Sequence, residues 1–249
     1  MKEAVKTEYF LVPEDRLPSG VGIAHFGPQH RLWLYIAFAV ITALALICRR
    51  VSPKARRRME LGVGAALAAL ELCRFVSLVW AGVYSIYYLP LHMCGLSIYI
   101  TLLHVWRRGD VTAEILYAVS MPGALFALAC PDWLKYPVLN LWSIISFCIH
   151  ILLAAYPIML ISGGSFTPDP RRLPKCLLFM VCAAAPVYAF DKLFRANYMF
   201  LNWPSPGSPL EWFYELWGSP GYIMGYVPLI ASVWLVLYIP WAIRRKLRA

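Results

Sequence analysis

Seven stretches of mostly apolar residues follow one another along the chain, parted by short polar segments. Each is long enough to cross roughly 30 Å of hydrocarbon at about 1.5 Å per helical residue. They run over 31–49, 60–83, 86–106, 112–130, 138–162, 174–194 and 221–243. The pattern predicts an all-α, polytopic membrane protein. A seven-transmembrane-helix bundle fills 31–243, between an N-terminal segment of residues 1–30 and a basic tail of 244–249. A 61% hydrophobic content, 14% charged residues and a mean hydropathy of +0.62 agree, and leave no room for a soluble domain. The first 30 residues have no apolar h-region, so the first span acts as the targeting signal.

A net charge of +10 raises nucleic acid as a partner, but the distribution of the basic residues argues against it. They gather in the segments after spans 1, 3 and 5 and in the tail: Arg49, Arg50, Lys54, Arg56, Arg57 and Arg58; Arg107 and Arg108; Arg171, Arg172 and Lys175; Arg244, Arg245, Lys246 and Arg248. These are 15 of the 23 Lys and Arg residues, all on one predicted side. The positive-inside rule then puts the N-terminus outside and the C-terminus in the cytoplasm. That membrane is the plasma membrane in a bacterium or an endomembrane in a eukaryote. The seven cysteines are scattered, with no CxxC and no Cys/His spacing of a zinc site, and no structural disulfide is expected.

Ionisable groups at bilayer depth are costly and by default face the bundle interior. Counting inward along each span places His92 about 9 Å down, Cys94 about 12 Å, and Glu71 and His150 about 18 Å. These four form one layer in the outer half of the membrane. His104, about 27 Å down, falls outside it. Asn140, Ser143, Ser146 and His150 recur every three or four residues and make a polar stripe that should point into the bundle.

Cys is a common core residue, and a thiol in apolar surroundings is inert unless a base is near. An imidazole supplies that base, and His150 is favoured as the partner because His92, two residues from Cys94, points to another face. Glu71 and Arg74, three residues apart, form an intrahelical ion pair or, in the sharper reading, supply the carboxylate that holds His150. His30 opens span 1 at the outer surface, either as a simple solvent-exposed residue or as a supporting group at the mouth of the layer. Asp191, Lys192 and Arg195 read as an interfacial anchor or head-group contact. The segment 196–204 continues into Trp212, Phe213, Tyr214 and Trp217 and reads as an aromatic loop lying over the opening as a lid.

Phe26-Gly27-Pro28-Gln29-His30, Glu71, Leu89-Pro90-Leu91-His92-Met93-Cys94, His150 and Asn197-Tyr198-Met199-Phe200-Leu201-Asn202 together give the chain a likeness to a known group. The sequence resembles the YwaF family of seven-span membrane proteins and the related TMEM164-like proteins over nearly its whole length. The resemblance implies a membrane-embedded acyltransferase that moves a fatty acyl chain between phospholipids and lysophospholipids through a thioester on Cys94. Joined to the residues, this makes Cys94 the nucleophile and His150 the base. His92, Glu71 and His30 are supporting groups, and Asn197, Tyr198, Asn202, Ser143 and Ser146 are substrate contacts. The chemistry needs no cofactor and no metal; its partners are the two lipids and the bilayer. No oligomeric state is read from the sequence. Four alternatives stand beside it: a lipid hydrolase using the same Cys/His pair with water as acceptor, a zinc-dependent lipid hydrolase, a transporter, and a seven-helix receptor.

Overall fold

Prolines open several of the helices of this chain, Pro28, Pro53 and Pro209 among them, as their fixed φ and missing N–H favour. The computed structural model describes residues 7–246, and among these the protein is all-helical, with no strand. The helices are α1 (Pro28–Arg50), α2 (Pro53–Trp80), α3 (Met93–Arg107), α4 (Asp110–Ala129), α5 (Leu141–Ser162), α6 (Leu173–Phe194), α7 (Pro209–Gly221) and α8 (Tyr226–Lys246). Of the basic residues named above, Arg248 lies outside the described residues. Among the described residues six stretches are long and apolar enough to cross a membrane: α1, α2, α4, α5, α6 with the turn before it, and the run from Pro209 to Arg244. The chain is a multi-pass membrane protein.

The expected third span, 86–106, is not one helix. Residues 86–88 form a 3-10 turn, Leu89 is extended as residues before proline are, and α3 starts only at Met93. Its 15 residues cover about 22 Å, which is why it falls short of the other six. Pro90 folds back over the first turn of α3. A Cβ at Gly95 would lie 2.7 Å from the Pro90 carbonyl oxygen, so only glycine fits. Gly95→Ala should therefore destabilise by about 1–3 kcal/mol through overpacking, despite alanine's better helix propensity. A lower thermal unfolding midpoint in detergent checks this.

The seventh span is also differently built. The segment expected as an aromatic loop contains α7, with Pro209 in its first turn, and this helix is kinked where Gly218 and Ser219 leave helical geometry. α7 buries Leu210 and Phe213 and exposes Trp212, Leu216 and Trp217. Phe213 presses so closely on Gly225 that a Cβ there would meet its ring at 2.4 Å.

The chain divides into two compact units that alternate in sequence: residues 1–89 with 124–163, and residues 90–123 with 164–249. In the first unit, α1 and α2 both pack on α5. Two-thirds of the apolar window of α5 is buried, against about a tenth of that of α1, so α5 is the central element. Trp33 stacks on Phe147 at 4.7 Å, and the Trp142 indole N–H donates to Ser77 Oγ at 3.0 Å. Asn140 caps α5 by accepting the Trp142 N–H and donates to the carbonyls of Tyr9 and Val12, which ties the N-terminal segment down.

In the second unit α4 packs on α3 and α6, and it carries a π-helical turn over Leu116–Ser120. Pro122 has no N–H to give the carbonyl of Ala118 four residues earlier, and the Trp234 indole donates to that carbonyl instead, at 2.9 Å. Tyr117 donates to the Leu237 carbonyl at 2.8 Å and accepts the Trp241 indole N–H at 3.0 Å. Glu114, with 0% of its surface exposed, accepts hydrogen bonds from the Tyr238 hydroxyl, the Asp169 N–H and the Arg172 guanidinium (3.1 Å). Arg172 also pairs with Asp110 at 2.7 Å.

Candidate functional site

Cys94 is the second residue of α3, with His92 as the N-cap, so the thiol is half-buried at the start of a helix and not within its length as the unbroken span 86–106 implied. The first-turn amides of a helix have no intrahelical acceptor and carry partial positive charge, which favours an anion beside them. His92 Nδ1 accepts the Met199 N–H at 3.2 Å, so the proton of the neutral ring sits on Nε2. Its ring meets Tyr198 edge-on at 4.9 Å and lies 5.7 Å from Phe200.

The segment 195–203 is a tight, internally bonded loop. Asn197 Oδ1 accepts the N–H groups of Asn202 and Trp203, and its Nδ2 donates to the Trp203 carbonyl. Asn202 Nδ2 donates to the carbonyls of Asp191 and Ala196. The amides of Asn197 and Asn202, expected as substrate contacts, shape the loop in this structure. Tyr198, 2% exposed, is a packing partner of His92. Asp191 is no head-group contact either. It is wholly buried, and its Oδ1 accepts the Tyr198 N–H at 3.0 Å.

In the first unit, His150 is 7% exposed and its Nδ1 lies 2.7 Å from the Ser146 carbonyl. A carbonyl only accepts, so Nδ1 carries the proton and Nε2 the basic lone pair. Trp133 stacks on the imidazole at 4.7 Å and 21°. Asn140 and Ser143 are buried and Ser146 half-buried, as the stripe along α5 predicts, although Ser146 contributes its backbone and Ser143 Oγ is a buried hydroxyl without a partner. Glu71 is held by Arg74 through two hydrogen bonds of 2.6 and 2.9 Å. That is the intrahelical pair; the His150 Nδ1 is oriented by a backbone carbonyl rather than by this carboxylate.

An acidic residue that sequence reading passes over, Asp132, feels His150 electrostatically. Though exposed at its surface, it has enough protein packed around it that burial pushes its carboxyl up from the usual range, with the His150 charge the largest influence in the other direction. The only signal in the sequence is an acid beside Trp133 just past a helix end.

The solvent-exposed reading of His30 is overturned. The residue is 0% exposed, its Nδ1 accepts the Phe26 N–H at 3.0 Å, and its Nε2 donates to the Leu128 carbonyl at 2.8 Å. His25 meets the next carbonyl, that of Ala129, at 2.8 Å. Two imidazoles thus satisfy acceptors that the end of α4 leaves open. His30→Ala should cost about 2–4 kcal/mol by stranding two buried backbone groups. Activity per folded molecule, measured after separating folded from aggregated protein, should stay unchanged.

Among the described residues no three His, Cys, Asp or Glu side chains converge as a metal site. The sequence model of the TMEM164 family matches residues 25–238. No curated protein and no solved structure matches the chain.

Proposed function

The chain belongs to the TMEM164 family, and from that premise we propose that it is a lipid acyltransferase working through a thioester on Cys94. The observation that carries this reading is the setting of the thiol: the second residue of a helix, where an anion is stabilised, two positions after an N-cap imidazole that bears its proton on Nε2. His150, with Nδ1 committed to Ser146, has the tautomer of a general base.

In the proposed cycle a general base takes the Sγ proton and the thiolate attacks an ester carbonyl of a phospholipid. His92 Nε2–H donates to the oxyanion. The tetrahedral adduct collapses, the C–O bond breaks, and the departing lysolipid oxygen takes the proton from the base. A lysophospholipid hydroxyl then loses its proton to the same base and attacks the thioester, which returns the acyl chain to oxygen and the proton to sulfur. Seven crossings, with α3 and residues 86–92 as the third, and an N-terminus outside belong to the same proposal, supported by the one-sided basic residues.

Intact-mass measurement of the purified protein after incubation with a diacyl phospholipid tests it. The expected result is a gain of one acyl group, removed by hydroxylamine and discharged by added lysophospholipid. Discharge by water alone would make the enzyme a hydrolase. A folded protein that never gains the acyl mass overturns the reading.

A further inference from the structure

The loop 195–203 hydrogen-bonds His92 through a backbone N–H, besides packing the rings of Tyr198 and Phe200 against it, and it is built at a cost. Arg195, Met199 and Phe200 all have left-handed backbone, with φ of 55°, 52° and 53°. Non-glycine residues adopt this region at roughly 1 kcal/mol or more each. Asp191 Oδ2 is a buried carboxylate oxygen with no hydrogen-bond partner, a further expense borne beneath the same loop.

What these costs secure is the position of the Met199 peptide. The Tyr226 hydroxyl donates to the Met199 carbonyl at 2.8 Å, the Tyr222 hydroxyl to the Phe200 carbonyl at 2.6 Å, and Asp191 Oδ1 accepts the N–H of Tyr198. The peptide whose N–H meets His92 Nδ1 is therefore held from both sides.

We propose that this loop is a tautomer clamp, in which Asp191 and Tyr226 are positioning residues that lock His92 with its proton on Nε2 at the helix end carrying Cys94. The inference rests on the thioester reading above, since the clamped proton matters only if an oxyanion forms there. A backbone N–H can only donate, so it excludes the neutral tautomer protonated on Nδ1 and disfavours the imidazolium, which has donors at both nitrogens. A fixed donor lowers the barrier because nothing has to reorganise when charge develops. A histidine free to exchange tautomers spends part of its time with the wrong atom forward.

The test reads the tautomer before any substrate is added, by nitrogen NMR of protein labelled at histidine, with His92→Gln to assign the signal. The clamp predicts a single Nε2-protonated His92 in the unmodified protein. Asp191→Leu and Tyr226→Phe should mix the tautomers and slow thioester formation about 10–100-fold, the range seen when a positioning group is removed, with KM within about twofold. Asp191→Asn, which keeps an oxygen for the Tyr198 N–H, should restore most of the rate. Tyr226→Phe carries the test if Asp191→Leu does not fold. A His92 protonated on Nδ1 in the unmodified protein, or folded variants with unchanged rates, overturns the clamp. A clamped His92 in a protein that never gains the acyl mass leaves the clamp's geometry standing and sinks the thioester reading instead.

Discussion

Cys94→Ala is expected to fold, insert into membranes and transfer no acyl chain. The thiol is half-buried at a helix start, and exchanging it for a methyl group changes little volume, so the stability change should stay within about 1 kcal/mol. The catalytic loss is of a different order. Removing the nucleophile of a covalent mechanism typically lowers kcat on the order of 10⁴-fold or more, which in a transfer assay reads as background. Cys94→Ser adds a second check, because an acyl group trapped on oxygen resists hydroxylamine where a thioester does not. A Cys94→Ala protein that transfers at the unmodified rate would place the chemistry elsewhere in the chain.

Glu114→Gln should be the most damaging conservative change outside the site. The carboxylate is wholly buried and accepts from Tyr238, the Asp169 N–H and Arg172, all of which are donors. An amide of the same shape turns one acceptor oxygen into an NH₂ group that faces other donors, and leaves the Arg172 charge partly uncompensated. The expected cost is about 2–4 kcal/mol. It should appear as a thermal midpoint lowered by several degrees, with activity per folded molecule preserved.

Hydropathy and periodicity were enough to locate most of the helices, because lipid demands long apolar runs and a helix satisfies its own backbone. The burial of Asn140, Ser143 and His150 was legible for a related reason: polar groups at one helical spacing have a single way to avoid hydrocarbon. The start of α3 was lost because hydropathy averages over the very residues, Pro90 and Gly95, that fold the chain back on itself. His30 and Glu114 were out of reach on different grounds. Their partners, the Leu128 carbonyl and Tyr238, lie 98 and 124 residues away, and no local pattern records such a meeting. The amides of the loop 195–203 read as substrate contacts because they look available until their backbone partners are known.

The bonds between α4 and α8 carry one more consequence. Trp234 reaches the Ala118 carbonyl, Tyr117 the Leu237 carbonyl, and Trp241 the Tyr117 hydroxyl. A slide of either helix by one turn, about 5.4 Å, would break all three together and strand the acceptor that Pro122 leaves open. The two helices are in effect riveted, so any breathing that the proposed turnover calls for has to be made by other parts of the molecule.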